Sequence, residues 1–191
     1  VSNLINGATR LQPVVMQLGQ AAGALAGLSQ IQERPVKKVS VRAVQNALLD
    51  AGCYIMPYLD LDKDHPHFKA LQKIGATGIL HGEGRNVGWA NQTWFRADDP
   101  LLSEDIYTTG YYNGKLPFVK GPIKVSEFAN MLRMMGVNLP ATLGEWWSGL
   151  GLSDYDYDRN ITRLEAAVIV DATINPFHLL DVDYNGDFCR F

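Results

Sequence analysis

Apolar positions along this chain recur mostly at helical spacing. The first strong element runs from about Pro13 to Gln30, and Pro13 suits a first helical turn because its missing N–H costs nothing there. Within it Gly19, Gly23 and Gly27 stand four apart, so they share one face, which Ala22 and Ala26 widen. Each glycine costs about 1 kcal/mol relative to alanine in a helix, so three on one face point to close approach by another backbone or a flat ligand. Val41, Val44, Leu48 and Ala51 form the stripe of a shorter helix that Gly52 closes. Further helices are predicted near 66–75, 102–107, 124–135, 142–149 and 162–173. Thr162 with Glu165, and Thr142 with Glu145, have capping-box spacing. The tail, 179–191, alternates around Asn185-Gly186 and predicts a hairpin. The expected fold is mainly α: a helical module with long loops and a C-terminal β-hairpin.

The stretch Asp60-Leu-Asp-Lys-Asp-His-Pro is turn-like and marks the expected boundary between domains 1–60 and 61–191. The second part carries a weak repeat, a turn followed by a capped helix with an acid at a fixed place. Its copies are Asp99-Pro-Leu-Leu-Ser-Glu104, Gly121-Pro-Ile-Lys-Val-Ser-Glu127 and Arg159-Asn-Ile-Thr-Arg-Leu-Glu165.

Composition narrows the function. In 191 residues, 47% are hydrophobic and 19% charged, which predicts a folded globular protein. The net charge of −3 offers no basic field for nucleic acid. No apolar run spans a bilayer, since Gln17 and Gln20 interrupt Val14 to Leu28. Cys53 and Cys189 read as two buried thiols or a bridge, and no CxxC spacing suggests zinc. The chain opens on Val1 with no leader pattern and no strand ahead of its first apolar helix, so it is expected to start mid-domain.

Candidate chemistry is sparse. No G-x-S-x-G, HExxH or G-x-G-x-x-G occurs, and Gly82-Glu-Gly84-Arg-Asn-Val-Gly88 has the wrong spacing for a phosphate loop. His65 and His67 flank Pro66 without a third ligand, so no metal is expected. Asp181, Asp183, Asn185 and Asp187 look like the start of a calcium loop, and the Asn-Gly hairpin explains the same residues. Asp154, Asp156 and Asp158 suit an exposed turn. Gly88-Trp-Ala-Asn-Gln-Thr-Trp-Phe95 reads as core or as a sugar-stacking surface.

Arg10, Pro13, Met16, Gly19, Gln20, Ala21, Ala22 and Gly23 follow Arg-x-x-Pro-x-x-Met-x-x-Gly-Gln-Ala-Ala-Gly. Over about residues 1–52 this resembles the closing segment of the flavin domain in FAD-dependent oxidoreductases, among them bacterial proteins labelled xanthan lyases. The resemblance implies that Thr9, Arg10, Leu11, Gln12, Pro13 and Gly19 lie at the FAD, with Arg10 as a fixed charge near the isoalloxazine. A helix start carries partial positive charge, which suits the electron-rich edge of a flavin. The missing phosphate loop implies that the pyrophosphate site lies upstream. The chain is then the C-terminal fragment of a larger enzyme, with an upstream flavin domain as partner, and inactive alone.

Residues 60–177 more distantly resemble S-layer homology modules, whose signature appears as Ile161-Thr-Arg-Leu-Glu165. That implies polysaccharide as a partner and a place at the cell exterior. Arg163 and Glu165 then read either as contacts to an acidic sugar or as a capping box with a solvated arginine. The competing functions are a stand-alone polysaccharide-binding module and part of a xanthan-type polysaccharide lyase.

Overall fold

The computed structural model describes residues 12–88, 90–108, 111–112 and 114–189. The fold is mainly helical, with seven α-helices and one two-stranded antiparallel hairpin among the described residues. Packing divides these residues into two compact units. One takes the residues up to Cys53 together with Asp181–Cys189, and the other takes Tyr54–Leu180.

In the first unit, α1 (Gln12–Ile31) runs twenty residues and buries none of them. It packs on a 3-10 turn at Val36–Lys38 and on α2 (Val41–Asp50). Ser40 caps α2, its Oγ accepting from the Ala43 N–H at 3.3 Å, and Gly52 at φ +75° closes the far end. Of the predicted stripe only Val44 is buried, with Val41 and Leu48 half-buried and Ala51 exposed, and the second buried apolar residue of α2 is Leu49, outside that stripe. The Gln20 amide donates to the Cys53 sulfur at 2.8 Å, tying α1 to the end of α2. Cys53 and Cys189 are both free and half-buried, so the bridge is excluded.

The tail completes this unit. The Tyr184 hydroxyl lies 2.8 Å from the carbonyls of both Val36 and Val39, and Ser40 Oγ donates to Asp181 at 3.0 Å. The expected tail hairpin is a single bridge, Val182 to Phe188, around a turn closed by the Asp183 N–H on the Asp187 carbonyl.

In the second unit, α3 (Phe68–Thr77) packs against α6 (Arg163–Thr173) and α7 (Pro176–Leu179). Leu71, Ile74, Phe95, Leu101, Ile123, Ile161 and Phe177 are its fully enclosed core. Gln72 is also fully buried. Its Oε1 accepts from the N–H groups of Ile55 and Met56, and its Nε2 donates to the Met56 carbonyl. An amide with all these bonds made is tolerated in a core, where an unpaired one costs 1–3 kcal/mol or so. Tyr58 lies between Gly75 and Gly82, and a methyl group on either glycine would overlap its ring or hydroxyl.

The hairpin of β1 (Glu83–Val87) and β2 (Ala90–Trp94) pairs Glu83 with Trp94 through Val87 with Ala90. The sequence reading did not anticipate it. Every β1 residue is exposed, so there was no apolar alternation to see. The local signal was Gly88, which sits in the turn at φ +62°. The Asp60 carboxylate, in the turn-like stretch, accepts from the N–H groups of Phe95 and Arg96 at 2.8 and 2.7 Å.

The three repeat copies meet at the centre of this unit. The Leu101 N–H donates to Ile161, Ile161 donates to Ile123, and Ile123 donates to Leu101, each at 2.9 Å. All three residues are fully buried. Each copy then starts a helical turn whose third residue reaches back to the cap. Asp105 accepts from the Leu102 N–H, Glu127 from Lys124 and Glu165 from Thr162. The acid of the first copy is therefore Asp105 and not Glu104, because register with Ile123 and Ile161 is set by Leu101. That copy forms only a 3-10 turn, Ser103–Asp105, while the others open α4 (Val125–Met134) and α6. The Thr162–Glu165 capping box is complete. No side-chain cap forms at Thr142 ahead of α5 (Leu143–Gly149), where ψ of 79° departs from the extended backbone found at Thr162.

Candidate functional site

Of the six residues expected at FAD, Thr9, Arg10 and Leu11 lie outside the described residues. Gln12 and Pro13 occupy the first turn of α1, and Gly19 lies two turns on, all three exposed. The first turn holds no carboxylate. The N–H groups of a helix start lack intrahelical acceptors and carry partial positive charge. A methyl group on Gly19, Gly23 or Gly27 would meet nothing within 4 Å, so the close approach expected on the glycine face is not made by the described residues of this chain. Val15, Met16 and Leu18 are each more than half exposed beside it.

A second candidate lies wholly within the second unit. It is an open cleft of about 300 Å³ lined by His81, Glu83, Arg96, Asp105, Tyr107 and Arg163, among others. The His81 and Tyr107 rings stack in parallel at 4.0 Å. Arg96 takes φ +61°, rare for a residue with a side chain, and is held there by the Asp60 carboxylate on its N–H. Its guanidinium lies 5.2 Å over the Trp94 ring and donates to Glu83 at 2.9 Å. Hydrogen bonds from Arg85 and Arg96 hold the Glu83 carboxyl below its ordinary range.

The capping box expected beside Arg163 is present, but the arginine itself departs from the expectation. It is buried, not solvated, and its donors are committed within the protein. Nη1 pairs with Asp105 at 2.8 Å, Nε donates to the Phe95 carbonyl at 2.9 Å, and Nη2 donates to the His81 carbonyl. It fastens the third repeat copy to the first. Glu165 is likewise internal, gripped by both terminal nitrogens of Arg159 at 2.6 and 2.9 Å. Sequence reasoning missed Arg96, His81 and Tyr107, which carry no motif. The one available signal was Phe95-Arg96 following an aromatic and amide run.

The remaining candidates resolve into local structure. Phe95 is core, Trp94 is half-buried and Asn91 exposed, while Trp89 lies outside the described residues. The His65 ring accepts from the His67 N–H, and the His67 ring meets the Gly151 carbonyl. The Asp183 carboxylate accepts from the N–H groups of Asn185 and Asp187, which holds it below its ordinary range. No three His, Cys, Asp or Glu side chains converge on a metal position among the described residues. None of the described helices is long and apolar enough to cross a membrane.

No curated protein and no solved structure matches the chain. The family model described as FAD dependent oxidoreductase matches residues 1–48, which supports an FAD-dependent oxidoreductase region at this end of the chain.

Proposed function

We propose that residues 1–48 complete one side of an FAD site in a longer flavin-dependent oxidoreductase, and that this chain is not active alone. The observation that carries the reading is the family match over residues 1–48, the segment that supplies the exposed, acid-free start of α1. Bound FAD would supply two-electron redox chemistry. The chain's own part is binding and orientation. By the resemblance, Thr9, Arg10, Leu11 and Gln12 would hold the electron-rich edge of the ring. Arg10 adds a fixed positive charge, favouring the negative charge that reduction brings. Pro13 sets the helix start, and the bare face at Gly19 lets neighbouring backbone lie close. The pyrophosphate is held elsewhere, because the chain has no G-x-G-x-x-G loop.

The test is a visible spectrum of the longer polypeptide, purified without added cofactor and desalted. A retained flavin band, weakened or shifted by Arg10→Ala, supports the reading. A protein that stays colourless after incubation with FAD overturns it.

The second reading assigns residues 61–191 to polysaccharide binding of the S-layer homology type. What favours it is the three-copy ring of Leu101, Ile123 and Ile161 beside the cleft of Arg96, His81 and Tyr107. Because Arg163 is committed internally, Arg96 and the His81–Tyr107 stack are the groups facing a sugar. Co-sedimentation of the chain with acidic cell-wall polysaccharide tests it, and retention that survives Arg96→Ala would count against this cleft.

A further inference from the structure

One corner of the second unit is built from α3, α6 and α7, which pack on one another around the fully buried Phe177. α7 starts from Asn175, held at φ +48°, and is only four residues long. Asp171 lies in the last turns of α6, and its Oδ1 is buried in this corner with no hydrogen-bond partner. The charged groups facing it are Lys73 from α3 and His178 from α7. Both are engaged with Phe177. Lys73 Nζ lies 5.8 Å over its ring, and the His178 ring meets its edge at 5.3 Å. Neither closes a hydrogen bond onto Oδ1. A buried carboxylate oxygen without a donor loses its hydration and regains little, whereas a neutral carboxyl loses far less.

We propose that Asp171 is a proton-operated latch on this corner: taking up a proton tightens α7 onto α3 and α6, and losing it loosens them. Burial pushes the Asp171 carboxyl above its ordinary value of 3.8, and the positive charges of Lys73 and His178 pull it partly back. The folded value lies above the unfolded one, so the stabilising contribution is fully present below 3.8 and is lost as pH rises through the raised folded value. The corner is therefore loosest at neutral pH and closes as the surroundings turn acidic.

The experiment compares the whole chain with Asp171→Asn from pH 7 down to pH 4. It follows the thermal midpoint and the exchange of the α7 amides of His178 and Leu179, which donate to the Asn175 carbonyl. The amide variant mimics the protonated state. It should melt a few degrees above the parent at pH 7, with α7 exchange slowed severalfold, and both gaps should narrow as pH falls. Lys73→Met removes one attracting charge, so in the parent background it should move the transition to higher pH. A variant less stable than the parent at neutral pH, or a gap that does not change with pH, overturns the latch.

Discussion

The glycines of α1 and the two around Tyr58 in the second unit behave in opposite ways, and the contrast separates surface from core. Along α1, methyl groups on Gly19, Gly23 and Gly27 would find empty space, and the helix buries no residue. In the second unit Gly75 and Gly82 leave room for the Tyr58 ring and nothing more. The second unit pairs Arg163, Glu165 and Gln72 inside itself. The first unit keeps an apolar, smooth helix face without a partner among the described residues. This segment carries the cost of three helical glycines and gains no packing from them among the described residues.

The largest effect expected from breaking this contrast is at Arg163. Arg163→Ala removes the ion pair to Asp105 and the bonds to the carbonyls of Phe95 and His81. It should cost about 3 kcal/mol in urea unfolding, seen in the second unit. Next comes Gly75→Ala, which drives a methyl into Tyr58 and should cost about 2 kcal/mol despite the better helix former. Smallest, and opposite in sign, is Gly23→Ala, which should raise stability by about 1 kcal/mol because space is open and alanine favours the helix. Destabilisation by Gly23→Ala would show that α1 is packed in solution and would erase the contrast.

Helix positions were largely legible in the sequence. The helical spacing of Val41, Val44 and Leu48 and the box of Thr162 with Glu165 are local signals, and local signals are what periodicity and capping record, although the buried face of α2 falls on Leu49 and not on Leu48. Thr142 shows the limit, since the same spacing made no cap where the backbone was not extended. The candidate site was legible only in part. The Arg10–Gly23 pattern marked the segment that the oxidoreductase match later covered, yet the cleft was invisible. His81, Arg96 and Tyr107 are brought together by the hairpin and by the bridge from Leu80 to Ile106, contacts that no spacing encodes. Arg163 was visible as a motif but not as a buried brace, because its partners Phe95, His81 and Asp105 lie far away in sequence.

The ring of Leu101, Ile123 and Ile161 has a kinetic consequence. Each residue donates once and accepts once, so the cycle has no end at which to begin and no stable half-built form. Any two segments that meet early leave an unpaired N–H and an unpaired carbonyl in what becomes the dry centre. Closing it requires three distant stretches to arrive together, and such non-local contacts come slowly. The second unit should therefore assemble in a single late step. Partial opening of one repeat copy would expose the other two, so a cut in any one of the three should release the whole unit to a protease at once.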